Sequence, residues 1–222
     1  MINTIDLFAG CGGLTEGFKQ NGNYNMIACV EWDKIPYNVL YHRLKTKWNY
    51  KDIDKRVLRY DIQKTSNLLN GWDDEYGKSE GLNKLVSSYG GNVDLIIGGP
   101  PCQAYSVAGR IRDENGMKDD YRNYLYEHYI EIVEHFAPKA FIFENVPGML
   151  SAKPGDGNER IIDQVRKQFT KIGYSLVDNI DNTVIDFTEY GVPQKRKRLI
   201  ILGLKEKSFG SETSNPFFLN DL

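Results

Sequence analysis

Only three cysteines occur in the 222 residues, Cys11, Cys29 and Cys102, an odd number with no C-x-x-C spacing. That argues against a disulfide framework and against a structural zinc site, and a reducing, cytoplasmic setting is expected. No metal ion is expected either. No apolar run approaches the roughly 20 residues of a membrane span. The opening "MINTIDLFAG" has no basic segment ahead of an apolar one, so no signal peptide is expected. Charge is unbiased too, with 28 Lys and Arg against 30 Asp and Glu. A uniformly basic nucleic-acid binder is thereby excluded, and any such role would rest on local basic groups or on further protein. There is no internal repeat and no low-complexity block.

Short apolar runs alternate with helical patterns along the whole chain. "NTIDLF", "YNMIACVEW", "VLRYDI", "VDLIIGG" and "KAFIFENV" read as strands, with "YSLVDNIDN" and "RLIILGL" completing the set. Between them "LTEGFKQNG", "KIPYNVLYHRL", "DYRNYLYEHYIEIVEHF" and "ERIIDQVRKQFTKIG" have helical spacing. In the third of these, Leu125, Tyr129, Ile132, Val133 and Phe136 form an apolar stripe. Such alternation predicts an α/β fold, a mostly parallel sheet with helices on both faces, whose ligands bind at the carboxyl ends of the strands. The polar stretch from Lys64 to Gly91 is too long for one crossover helix and reads as a helix plus a surface excursion.

The turn "DLFAGCGGLTEGF" places Gly10, Gly12 and Gly13 between the first strand and its helix, where backbone N–H groups can approach a ligand closely. The dinucleotide fingerprint G-x-G-x-x-G needs a third glycine where Thr15 stands, so a hydride-transferring enzyme is disfavoured. A nucleoside-binding turn remains. Glu31 ends the second strand, where an acidic side chain can bond ribose hydroxyls. Trp32 offers an aromatic face for an adenine, and Asp61 after the third strand can accept from an amino group.

Three further strand ends are unexpectedly polar. "GGPPCQAYS" presents Cys102 behind Pro100 and Pro101, whose fixed φ would hold it at a set angle. A thiolate so placed can add to an electron-poor double bond. In "ENVPG", Glu144 comes off an apolar strand and is expected to be desolvated and able to donate a proton. In "YGVPQKRKR", Arg196 and Arg198 alternate onto one face and Lys195 and Lys197 onto the other.

Taken together, "DLFAGCGG", "GGPPCQAYSVAGR", "ENVPGML" and "YGVPQKRKRLIILG" resemble, in order, the cofactor turn, catalytic loop, glutamate motif and arginine motif of cytosine-C5 DNA methyltransferases of bacterial restriction–modification type. The resemblance spans Asp6 to Gly203. It implies a Rossmann-like S-adenosylmethionine-dependent fold with a late antiparallel strand, acting on a cytosine flipped out of duplex DNA. Cys102 would add to C6, Glu144 would act at N3, Arg198 would contact O2, and Arg196 would help order the loop and base pocket. Phe8, Gly10, Gly12, Gly13, Leu14, Glu31, Trp32, Asp61, Ile62, Pro100 and Leu125 would line the S-adenosylmethionine site. Gln103, Ser106, Arg110, Asn145 and Val146 would lie against the base or the DNA. The segment "SVAGRIRDENGMKDDYR" reads as a closing lid of balanced charge.

Complete family members continue past the arginine motif into a target-recognition region and a closing segment. Residues 1–205 are therefore expected to form the catalytic domain and 206–222 a linker, with target recognition on a second polypeptide or on further chain. A cognate restriction endonuclease is a further expected partner. Two alternatives remain open. The tRNA branch of the family uses the same chemistry, although "QAYSVAGR" favours the DNA branch. A non-catalytic S-adenosylmethionine-binding subunit would have no use for the cysteine, glutamate and arginines. A zinc nucleobase deaminase is discarded, because "PCQAY" has no second cysteine and no histidine stands in an H-x-E context.

Overall fold

A computed structural model of the chain describes residues 1–101, 124–153, 159–177 and 179–209. They fall into two units, Met1–Gly99 with Glu131–Lys139, and the described residues of Pro100–Ile130 with Ala140–Leu222.

The first unit runs β1 (Ile2–Leu7), α1 (Gly13–Asn21), β2 (Tyr24–Glu31), α2 (Lys34–Thr46), α3 (Ile53–Arg56), β3 (Val57–Arg59), α4 (Thr65–Asn70), β4 (Trp72–Asp74), β5 (Gly77–Ser79), α5 (Gly81–Ser88) and β6 (Leu95–Gly98). Its sheet has the order β3-β2-β1-β6, every pair parallel. The run Met26 to Cys29 in β2 exposes no surface, as expected of a parallel strand covered on both faces. Helix α2 starts where the sequence signals it. The Asp33 carboxylate accepts from Ile35 N at 2.9 Å, and Pro36 sits in the first turn, where a missing N–H costs little.

Two sequence expectations change here. The third strand is shorter than "VLRYDI" suggested, because Tyr60 turns fully inward and Asp61 begins a turn, accepting from Gln63 N at 3.0 Å. The stretch 64–91 holds two helices rather than one. A hairpin separates them, pairing Trp72 with Ser79 and Asp74 with Gly77, and the Trp72 ring stacks on Tyr60 at 4.1 Å.

The second unit contains the start of α6 (Leu125–Phe136), then β7 (Ala140–Asn145), α7 (Ile161–Lys171), β8 (Tyr174–Leu176), β9 (Val184–Asp186), β10 (Lys197–Lys205) and the short α8 (Glu206–Phe209). Strand β10 runs antiparallel to β7, β8 and β9, the late antiparallel strand that the resemblance implied. Strand β9 was not foreseen, since its three residues are too few to show alternation. Period-two patterning sorts the side chains of β7 and β10. Phe141, Phe143, Leu199 and Ile201 are fully buried, and Glu144 lies opposite Ile200 on the other face. Beneath them Phe141 stacks on Phe169 at 3.9 Å, and Tyr129 and Tyr174 close in edge-on. The expected linker begins as α8, with Glu206 N bonded to Gly173 O at 3.2 Å, and its remainder, 210–222, lies outside the described residues.

Candidate active site

Strands β3, β2 and β1 are neighbours, and the segments leaving them carry Asp61, Glu31 and the glycine turn. The turn is held by its own backbone, with Ala9 N bonded to Val30 O at 3.0 Å and Gly12 N to Ala9 O at 2.8 Å. Phe8 has φ 57°, a left-handed conformation that costs a non-glycine residue free energy and concentrates at ligand sites. Gly12 has φ 83°, a left-handed conformation that favours glycine, and a Cβ there would press on Leu40 Cδ1 at 2.6 Å.

The Glu31 carboxylate is pinned at both oxygens. Oε2 accepts from Gly10 N and Oε1 from Asp33 N, each at 2.7 Å. Every carboxylate oxygen has a second acceptor position, so the group is aimed and still able to receive a pair of hydroxyls. Beside it Trp32 is 44% exposed, a large aromatic face left open. Asp61 uses Oδ1 on Gln63 N, and Ile62 behind it is buried. A hydroxyl acceptor and an open ring at the end of β2, with an amine acceptor past the neighbouring β3, are groups that fit the adenosine part of S-adenosylmethionine.

Under this turn lies a polar trio that the sequence reading missed. Asp6 of β1 is fully buried, and its Oδ2 receives the Thr15 hydroxyl of α1 at 2.5 Å. Thr15 Oγ1 is also 3.6 Å from Cys29 Sγ on β2. Burial pushes the Asp6 carboxyl up to about 7, opposed by the Thr15 hydroxyl and backbone. The same burial, with Asp6 nearby, pushes the Cys29 thiol up. Thr15 thus occupies the place of the missing third glycine and ties turn to strand. Thr15 itself was noted only as an absence, because a polar pair of this kind shows no spacing signature.

In the second unit, Glu144 receives a guanidinium. Arg198 Nε stands 2.8 Å from Glu144 Oε1, and Arg196 Nη2 stands 3.9 Å from the same oxygen. Register explains the geometry. Ile200 faces Glu144 across the antiparallel pair, which makes Arg198, two residues before, a diagonal neighbour on the same face. Lys197 turns the other way, its Nζ 3.6 Å from Asp186 Oδ2, as the alternation predicted. The expectation of a desolvated Glu144 is corrected here. Its side chain is 23% exposed, and it is held by an ion pair rather than by apolar walls.

Asn145 is 4% exposed, with Nδ2 donating to Pro100 O at 3.2 Å and Oδ1 accepting from Val146 N at 2.8 Å. It therefore joins the end of β7 to the segment that leads to Cys102. Pro100 and Leu125 are buried, and Leu14 in the first unit is half-buried. Cys102, Gln103, Ser106 and Arg110, and the lid segment around them, lie outside the described residues. Among the described residues, Cys11 is exposed and Cys29 buried, and no helix is long and apolar enough to cross a membrane.

Residues 2–72 and 73–218 match the family model of the C-5 cytosine-specific DNA methylase. The type II methyltransferase M.Bpa9945I of Bacillus paralicheniformis is 36% identical, over 91% of this chain and 54% of its own length. The type II methyltransferase M.DdeI of Desulfomicrobium norvegicum is 37% identical, over 92% of this chain and 41% of its own. A solved chain encoded within an E. coli prophage, ascribed to the DNA modification methyltransferases, aligns with TM-score 0.62 and 26% identity. That alignment takes in 98% of this chain and 51% of the solved one. The chain spans about half the length of the curated relatives it matches. With four motifs in order and a family match over nearly all its residues, the chain belongs to the C-5 cytosine-specific DNA methylases.

Proposed function

We propose that the chain carries the catalytic centre of a DNA (cytosine-5-)-methyltransferase acting on duplex DNA in the cytoplasm. The observation that carries this reading is the Glu144–Arg198 pair at 2.8 Å, with Arg196 beside it. A carboxyl that can serve a ring nitrogen and a guanidinium that can serve a neighbouring carbonyl are what a cytosine offers partners for at N3 and O2.

In this mechanism the target cytosine leaves the stack, since C6 and C5 are out of reach within it. The Cys102 sulfur forms a bond to C6, and the ring electrons move toward C5 and N3. Glu144 delivers a proton to N3 or hydrogen-bonds it, and Arg198 turns from Glu144 to O2. That exchange frees the carboxyl to take up the proton it gives. S-adenosylmethionine, when bound, supplies the methyl group, and Glu31, Trp32 and Asp61 would hold its adenosine. Water in the site takes the C5 proton, the freed electrons re-form the C5–C6 double bond and expel the Cys102 thiolate, and Glu144 takes back the N3 proton, which restores the ring. The reading includes a second polypeptide or further chain for target choice, and a cognate endonuclease as partner.

The test is tritiated methyl transfer to duplex DNA and, in parallel, to tRNA. A duplex containing 5-fluorocytosine should trap a covalent adduct that Cys102→Ser abolishes. A Cys11→Ala background removes the exposed second thiol. Glu144→Gln should retain cofactor binding and lose about 10²- to 10⁴-fold in rate, the usual worth of a positioned proton donor. Transfer to tRNA alone would move the chain to the other branch. Cofactor-dependent transfer that survives Cys102→Ser would end the covalent reading. Robust sequence-specific transfer by the 222 residues alone would remove the need for a second polypeptide.

A further inference from the structure

We infer that the β4–β5 hairpin is the backing of the adenine subsite, with Asp74 and Trp72 as positioning residues for the Asp61–Ile62 turn. This rests on the cofactor reading above and deepens it.

The Asp61–Ile62 turn is gripped on both flanks by this hairpin. On the near side, Tyr60 is fully buried and lies flat on Trp72, ring centroids 4.1 Å apart at 23°, with Tyr76 edge-on at 5.8 Å. Its hydroxyl donates to Asp74 Oδ2 at 3.1 Å and accepts from Asn67 Nδ2 at 3.3 Å. On the far side, Lys64 Nζ stands 3.9 Å from the same Asp74 oxygen and 5.2 Å from the Tyr76 ring. Asp74 Oδ1 accepts from Tyr76 N at 2.9 Å, which fixes the carboxylate within its own hairpin. Arg59, at the end of β3, lies 5.5 Å from the Tyr76 ring.

The residue before the turn and the one closing it thus converge on one carboxylate and one pair of rings. Within the turn Lys64 N bonds to Asp61 O at 3.1 Å, so the position of Lys64 sets that of Asp61. The outer edge of the hairpin takes no part. Asp73 and Lys78 pair with each other there, at 2.8 Å, and with no other described side chain, both being more than 70% exposed. Trp72 is 8% exposed, its ring stacks on Tyr60, and its Nε1 has no hydrogen-bond partner among the described residues, so it serves as a packing platform.

The consequence is selectivity for an adenine amino group. Asp61 can accept from that group at the second acceptor position of Oδ2, which the Gln63 side-chain amide meets at 3.4 Å, only if the carboxylate is held in place, and the hairpin does the holding. The 222-residue chain should therefore bind S-adenosylhomocysteine more tightly than its hypoxanthine analogue, by about tenfold, the worth of one charge-assisted hydrogen bond. Calorimetry reads this without turnover. Asp74→Asn and Trp72→Ala should each bring the ratio toward one, with affinity for the adenine ligand falling and that for the analogue unchanged. Asp73→Asn on the outer edge should leave the ratio alone. Thermal melts accompany each variant, and should Trp72→Ala fail to fold, Trp72→Phe, which keeps a smaller aromatic platform, should lower the ratio part of the way. A wild-type ratio near one would overturn the cofactor reading of Asp61. A wild-type preference that both variants retain would overturn the hairpin's role and leave the cofactor reading standing.

Discussion

Asp6 shows what a single buried group does to stability. A carboxyl raised from 3.8 to about 7 takes up a proton on folding at any pH between those values. Stability is then full below the unfolded value and falls as pH rises toward 7, with a slope of about 1.4 kcal/mol per pH unit. Asp6→Asn keeps the shape and the Thr15 contact and removes the titration. Urea unfolding between pH 5 and 8 should show the wild-type midpoint falling with pH and the variant nearly level. A parallel decline in both would mean that Asp6 is already ionised when folded. Glu144 shows the limit of residue-level reading. Its strand is apolar, so desolvation was the natural expectation. Its partner Arg198 is a diagonal neighbour only because β10 pairs antiparallel with β7 in one register. No local pattern reports that register.

At the scale of elements, the long ones were legible and the short ones were not. β2, β7 and β10 carry runs or alternations of apolar residues that water would not tolerate elsewhere, and each was read within a residue or two. α6 was read from its buried stripe in the same way. The hairpin and the truncation of β3 share one cause, the stacking of Tyr60 on Trp72, a contact across sequence that propensity cannot reveal. The glycine turn, Glu31 and Asp61 were legible because strand ends are where such folds present ligands. Packing between elements makes its own prediction at Gly203. A Cβ there would fall 2.0 Å from Phe141 Cε1, and that ring is backed by Phe169 and cannot retreat. Gly203→Ala should therefore destabilise by about 1–3 kcal/mol. Phe141→Leu in the same chain should recover part of the loss, giving a non-additive double-mutant cycle by chemical denaturation. Strict additivity would show that the ring does move.

At the scale of the molecule, the chain brings the strand-end residues proposed to hold a nucleoside in one unit and an acid–guanidinium pair in the other. Each is assembled from strand ends that are distant in sequence. The sequence motifs announced both sets of residues. What they could not announce was the scaffolding behind them, namely Asp6 beneath the glycine turn, Asp33 capping Glu31, and Asn145 reaching Pro100. Those partners act through hydrogen bonds whose ends lie up to 45 residues apart. The most accessible indole in the chain also sits at the proposed nucleoside site. Trp32 is 44% exposed, whereas Trp72 is 8% exposed beneath a tyrosine. Ultraviolet emission from Trp32 should be red-shifted and open to iodide quenching, and a purine settling on it should dim the signal and shield it. Titration of cofactor into the protein should thus be visible as a loss of fluorescence that Trp32→Phe abolishes, so that the chain carries its own optical gauge of occupancy.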